Sequence, residues 1–343
     1  MKKSQVIYQS QMPSPRAFPR ETVLFYDSIL LKNPKIKAWI RKFPFSSPLQ
    51  SGEKLKDLNS LQKQLNVLNK LSVPQTTELT FVALGGGSVG DFVGFLASIY
   101  LRGRRLVHIP STWLSAVDSA HGGKNGLNFQ SEKNQMGTFY PADQIYIVSQ
   151  LLETQPPSRL QEAMGEFLKM AIIRDKKTFH FIENNIAHMN SKKILSILPA
   201  TIRNKYQVVA QDPYEQKGHR RILNLGHTMG HVLESHYGWP HGLCVMLGML
   251  FSIRWSYHLK IANEATYIRV SNLIEDIWPE QTLSDDLASM PIKMIEKKLS
   301  KDKKRTSNST IDFIFIRRVG SVVRQKVKIS EILAEVQRQT KEY

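Results

Sequence analysis

Four polar residues recur through the segment RRILNLGHTMGHVLESHYGWPHG: Arg220, Asn224, His227 and His231, at i, i+4, i+7 and i+11. If the segment is one helix, they share a face on which a core helix would carry apolar side chains. Gly226 and Gly230 would let a neighbour approach that face closely. A lone histidine in such a place is ordinarily a satisfied structural residue. Two of them one turn apart, beside Asn and Arg and followed by His241, read instead as a ligand or proton-transfer set, with His236 as a further candidate. In EAMGEFLKMAII, Glu166 and Lys169 stand at i and i+3 amid apolar neighbours, which favours a buried pair over a surface salt bridge. Two histidines and one glutamate from separate segments form a zinc set that keeps a coordination position open for substrate.

A second chemical signal lies earlier. Gly85, Gly87 and Gly90 fit G-x-G-x-x-G between a buried strand and a helix, where small residues admit a pyrophosphate and the helix start favours an anion. The acidic residue expected about 20 positions further on is missing, because that region reads HIPST. The turn is therefore either a variant of the dinucleotide-binding unit or a plain tight strand-to-helix turn. A third cluster, VDSAHGGKNGLNFQSEKNQMGTFYP, is read as a polar ligand-binding loop carrying Asp118, Lys124, Lys133 and Asn134.

Elements that position these residues can be read around them. Thr22 to Tyr26, Leu79 to Leu84, Leu106 to Pro110 and Gln144 to Val148 are short apolar runs that predict strands; Leu58 to Leu71 and Phe92 to Arg102 predict helices. Their alternation predicts an α/β, mostly parallel, Rossmann-like sheet. Pro156-Pro157-Ser158, with Gln161 three places after the serine, predicts a helix start with a capping box. Helical periodicity follows to about residue 300. The expected organisation is an α/β domain over 1–150 and a mainly helical domain over 151–343. Ile311 to Ile316 is either a strand or a short helix.

With 343 residues, 41% of them hydrophobic, the chain can bury two cores. The apolar run from Leu243 to Ile253 is too short to span a bilayer, and no apolar stretch follows the opening MKKSQ, so neither membrane nor secretory signal is expected. The only cysteine, Cys244, excludes an intramolecular disulfide and suits a cytoplasmic setting. A net charge of +18, densest from Lys297 to Arg305, has three readings: a nucleic-acid surface, a solvated face, or in part a pocket for a phosphorylated metabolite. The solvated face is favoured and no nucleic-acid partner is expected.

Taken together the motifs resemble the 3-dehydroquinate synthase family across residues 50–305. SGEKLK is similar to its DGE-x-x-K, LGGGSVGD to its GGG-x-x-GD, and the stretch from Leu101 to Asn128 to its MRG…PTTLLA-x-VDSS-x-GGKT-x-VN. EAMGEFLKMAII resembles the GMAEVIKYG helix, LNLGHTMGHVLE resembles LNFGHT-x-GHA-x-E, PHG resembles LHG, and KDKK the late DKK. The resemblance implies Glu166, His227 and His241 as ligands of a divalent zinc or cobalt ion. It implies an NAD site at Glu53, Lys56, Gly87, Ser88, Val89, Gly90, Asp91, Ser111, Thr112, Lys124 and Lys133, with Asp27 on the ribose. Around a small phosphorylated sugar acid it implies Arg102, Asp118, Lys124, Asn134, Lys169, Arg220, Asn224, His231 and Lys303, or Lys304 in an alternative register. The family departs at four places: Leu243 for the Glu of HGE, Asn125 for a threonine, and Ser111 and Ser51 for the first residues of PTT and DGE. The implied reaction turns 3-deoxy-D-arabino-heptulosonate 7-phosphate into 3-dehydroquinate and phosphate. Alternatives are a valiolone- or inosose-forming cyclase, an NAD- and metal-dependent polyol dehydrogenase, and a non-catalytic basic binding protein. A homodimer is an open option.

Overall fold

The computed structural model describes residues 3–130, 132–280, 282–300 and 310–342. The chain divides into two compact units, Met1–Arg159 and Leu160–Tyr343.

The first unit is built on six parallel strands in the order β1-β8-β5-β4-β2-β3. They are β1 (Gln5–Gln9), β2 (Thr22–Asp27), β3 (Phe45–Leu49), β4 (Thr80–Gly85), β5 (Arg105–Pro110) and β8 (Gln144–Val148). β2, β4, β5 and β8 fall where their apolar runs predicted. β1 and β3 were not foreseen: their half-exposed patterns, QVIYQ and FSSPL, carry little of that signal. The central strands are buried on both faces, as parallel strands are. Leu24, Tyr26, Val82, Leu84, Val107, Ile109, Tyr146 and Val148 join one core with Phe18, Trp39 and Phe43. Val23, Phe25, Phe81, Ala83, Leu106 and Ile145, at the alternating positions, are also buried.

The polar segment after residue 120 is an antiparallel hairpin, not a loop: β6 (Lys124–Phe129) pairs with β7 (Glu132–Phe139). Its low apolar content hides the strand period. The helix after the glycine turn runs Gly87–Ile99, beginning five residues before the predicted Phe92, because glycine carries no apolar period yet takes helical backbone. It stops where Leu101 (φ 47) and Arg102 (φ 67) turn left-handed.

His108, in β5, is buried, and its ring lies 3.1 Å from where a Cβ on Gly90 would sit. Burial lowers its pKa from 6.5 to about 4. The unfolded chain takes up that proton first, so this contribution to stability is intact above about pH 6.5 and is lost as pH falls towards 4. The loss amounts to about 3 kcal/mol. Urea unfolding of wild type and His108→Leu at about pH 7.5 and about pH 4.5 should show the wild type losing that much more than the variant. Equal losses in the two proteins would refute a neutral buried His108.

The second unit is mainly helical. The helices that matter to the site are Pro157–Arg174, His227–Tyr237 and His241–His258. Pro157 opens the first of them, so Ser158 lies inside its first turn and not at the cap; Gln161 instead donates to the Ile277 carbonyl (2.9 Å). The tail is a strand: β9 (Thr310–Arg318) forms an antiparallel hairpin with β10 (Ser321–Lys328), followed by the helix Ile329–Glu342. Among the described residues no helix is long and apolar enough to cross a membrane.

Candidate functional site

The polar stripe is not one helix. Arg220 and Asn224 belong to a 3-10 turn, His219–Asn224, and the α-helix starts at His227 after Gly226 swings to φ 77. The break has a packing cause. A Cβ on Gly226 would sit 2.4 Å from the Val245 carbonyl oxygen, and one on Gly230 would sit 2.8 Å from that of Cys244. On the opposing helix, a Cβ on Gly248 would sit 1.8 Å from the Gly226 carbonyl oxygen. The neighbour that the two glycines admit is thus the backbone of His241–His258. A third contact brings in the helix that carries Glu166: Cβ atoms on Gly165 and Gly242 would fall 2.3 Å from Gly242 O and 1.6 Å from Glu162 O. Each candidate ligand therefore adjoins a glycine at a backbone crossing: Glu166 beside Gly165, His227 beside Gly226, His241 beside Gly242.

These crossings bring the three ligands together. One ligand atom from each of Glu166, His227 and His241 lies within 4.8 Å of the others. Nε2 of His227 and Nε2 of His241 are each 3.6 Å from the same oxygen, Oε1 of Glu166. Nδ1 of His227 faces the Leu225 carbonyl at 3.1 Å, and Nδ1 of His241 faces Oε2 of Glu234 at 2.9 Å. Glu166 is 1% exposed and ion-paired to buried Lys169, yet neither of its oxygens receives a well-aligned hydrogen bond. With one lysine as ion partner and no aligned donor, this buried carboxylate still has lone pairs to offer a second cation. Two Nε2 lone pairs and an under-satisfied carboxylate fit a divalent metal of the zinc class. Without a metal, burial would depress His241, but Glu166 and Glu234 outweigh it and carry its pKa up to about 10, so a metal takes the place of the Nε2 proton.

His231 is exposed, with its ring 5.4 Å from that of His227 and 6.3 Å from that of His241. Arg220 is buried, its Nη1 donating to the Pro213 carbonyl at 2.9 Å. Asp212 accepts from the Gln216 and Lys217 amides (2.8 and 3.1 Å), which fixes the turn leading to Arg220. Asn224 ends the 3-10 turn and is half-buried. His236 packs on Tyr237 at 4.5 Å between ring centres and takes no part in the cluster. Lys303 and Lys304 lie outside the described residues.

In the first unit the glycine turn joins β4 to Gly87–Ile99, and a Cβ on Gly85 would strike Val89 at 2.6 Å. Lys56, 3% exposed, donates to Asp91 (2.7 Å) and Asn134 (2.5 Å), tying the turn helix to β7. Burial raises the Asp91 pKa even against Lys56. Asn134 holds φ 52, and its amide donates to Asn128 Oδ1, while Asn128 also donates to Glu53 at 2.8 Å. Ser88 accepts from the Gly52 amide (2.9 Å), and the Ser111 amide donates to the Gly85 carbonyl (2.9 Å). Thr112 stands against Gly86, and Asp118 lies on the short π-turn Ser115–Ser119. Lys124 and Lys133 are exposed on the hairpin. Asp27 closes β2, one residue past the Tyr26–Leu84 pair with β4, and accepts from the Ile29 amide. β2 is the neighbour of β4 in the sheet, so Asp27 ends a strand alongside the one that leads into the glycine turn. Arg102 is not gathered here: the 13-residue helix Gly87–Ile99, about 20 Å long, separates it from the turn.

The chain matches the 3-dehydroquinate synthase N-terminal family model over residues 46–162 and the C-terminal one over residues 163–305. It belongs to the 3-dehydroquinate synthase family. The 3-dehydroquinate synthase of Saccharolobus solfataricus is 32% identical over 291 residues, which is 83% of this chain and 81% of that protein. The 3-dehydroquinate synthase fold is shared with solved cyclases. A 2-epi-5-epi-valiolone synthase from Streptomyces hygroscopicus subsp. jinggangensis, with NAD+ and Zn2+ bound, superposes at TM-score 0.86 and 21% identity over 100% of this chain and 98% of its own. A 2-deoxy-scyllo-inosose synthase complexed with carbaglucose-6-phosphate, NAD+ and Co2+ gives 0.84 and 23%, covering 97% and 96%.

Leu243 stands where the family carries the Glu of HGE, and it should cost little metal affinity if packing has replaced that carboxylate. Leu243 is 3% exposed in the apolar helix, and the carboxylate beside His241 comes from Glu234 instead. Glu234 stands at i+7 from His227, on the same helix face, and that spacing was available as a signal. Leu243→Glu should therefore leave metal affinity unchanged and cost several kcal/mol of stability by burying a charge. Chelator competition and urea unfolding measure both; a gain in affinity would contradict it.

Proposed function

We propose that this chain converts 3-deoxy-D-arabino-heptulosonate 7-phosphate to 3-dehydroquinate and phosphate, using NAD catalytically and one divalent metal, zinc or cobalt. The observation that carries the reading is the convergence of His227 and His241 Nε2 on one buried oxygen of Glu166, in a chain of this family. The NAD+ and the Zn2+ or Co2+ held by the two cyclases of the same fold support the cofactor choice. When bound, the metal acidifies a substrate hydroxyl while NAD accepts and later returns one hydride. Glu166, His227 and His241 hold the metal, and Lys169 pairs with the Glu166 carboxylate.

The remaining assignments rest on the resemblance. Residues 1–150 take NAD at Glu53, Lys56, Gly87 to Asp91, Ser111, Thr112, Lys124 and Lys133, with Asp27 on the ribose. Residues 151–343 take metal and substrate. Arg220, Lys169, Lys303 and Lys124 neutralise the anionic groups, and Asp118 and Asn134 complete the surroundings of the substrate; Arg102 is included on the resemblance alone, since the helix Gly87–Ile99 carries it away from the glycine turn. His231, exposed beside both ligand rings, passes protons with Asn224. A substrate with both carboxylate and phosphate suits this number of cationic and amide donors. The protein is assigned to the cytoplasm, in line with its single buried cysteine. The +18 charge is read as a solvated face and not a nucleic-acid surface, and a homodimer is retained as the assembly.

Purified protein should release phosphate from the heptulosonate 7-phosphate, and no NADH should accumulate. Turnover of sedoheptulose 7-phosphate alone would assign a different cyclase. Steady NADH accumulation would assign a polyol dehydrogenase.

A further inference from the structure

The contact between Glu234 and His241 belongs to neither the ligand set nor the substrate set. Glu234 lies on His227–Tyr237 and is half-buried, and its Oε2 is 2.9 Å from His241 Nδ1. The opposite ring nitrogen, Nε2, faces Glu166. An imidazole whose Nδ1–H is held by an acceptor must present its Nε2 lone pair on the far side, so the contact selects both tautomer and aim. His227 has the same design with a weaker acceptor, since its Nδ1 faces the Leu225 carbonyl at 3.1 Å. A carboxylate makes the stronger, charge-assisted bond and raises the basicity of the ligand it orients. The need is greater at His241. That residue opens its helix immediately after Pro240, and the position two residues on, Leu243, is apolar.

We infer that Glu234 is a positioning residue for the metal centre, holding His241 in the Nδ1–H tautomer with Nε2 aimed at the site opposite Glu166. The inference rests on the metal reading above. It goes beyond that reading by giving a role in metal retention to a side chain that touches neither metal nor substrate.

The test measures zinc affinity by chelator competition in wild type, Glu234→Gln and Glu234→Ala, together with thermal unfolding of each metal-free protein. Glu234→Ala should weaken zinc binding about 10- to 100-fold. Glu234→Gln keeps size and a neutral acceptor and should lose about tenfold or less. Metal-free melting temperatures should stay close to wild type. Activity of Glu234→Ala should recover when zinc is raised to saturation, as a positioning role requires and a catalytic one does not. Wild-type affinity in both variants would overturn the inference and leave the metal centre standing. So would activity that stays low in a fully loaded Glu234→Ala protein. Failure of the wild type itself to bind a divalent metal would overturn the metal reading, and this inference with it.

Discussion

Gly242→Ala is expected to destabilise the helical unit by more than about 3 kcal/mol and to abolish tight metal binding. The added methyl would sit 1.6 Å from the Glu162 carbonyl oxygen, a backbone atom that no rotamer change can move aside. Relief requires the helices Pro157–Arg174 and His241–His258 to separate. Gly242 adjoins His241, and the facing Gly165 adjoins Glu166, so the same separation pulls two ligands apart. Gly248→Ala should behave alike in stability, its methyl meeting the Gly226 carbonyl at 1.8 Å. Urea unfolding with a zinc titration reads both effects. A Gly242→Ala protein that unfolds at the wild-type midpoint and binds zinc normally would show that the crossings do not set the site.

His227→Ala and Glu166→Ala should each lose more zinc affinity than the roughly 10- to 100-fold that follows removal of an outer hydrogen-bond partner, because a direct donor is gone. Turnover should fall to background, since two protein ligands do not hold the metal against water. Glu166→Gln is the stringent form: it keeps the side chain's volume in a site that is 1% exposed and removes its charge beside Lys169. Metal analysis of the purified variants, with phosphate release at saturating zinc, separates lost affinity from lost chemistry. Metal content unchanged in His227→Ala or Glu166→Ala would overturn the ligand assignment.

Much of this was legible in residue order. The apolar runs of β2, β4, β5 and β8 announced a parallel sheet because strands buried on both faces need unbroken apolar stretches. The strands β1 and β3 and the β6–β7 hairpin escaped notice, being half-exposed or polar. Their pairing depends on neighbours distant in sequence.

By its residue types and spacing alone, the sequence determined the chemistry on offer: two histidines, a buried glutamate beside a lysine, and a glycine turn between strand and helix. It also marked a glycine at each ligand, though not what that glycine meets. Only the tertiary structure decided that Gly226 breaks the stripe into a 3-10 turn and a helix. It alone placed Glu234 on His241, and set β2, with Asp27 at its end, beside the strand that leads into the glycine turn. The reason is physical. Helical period specifies which side chains share a face of one element, whereas convergence on a metal depends on how closely separate backbones pack. That distance is set by carbonyl oxygens and missing Cβ atoms on helices far apart in the chain.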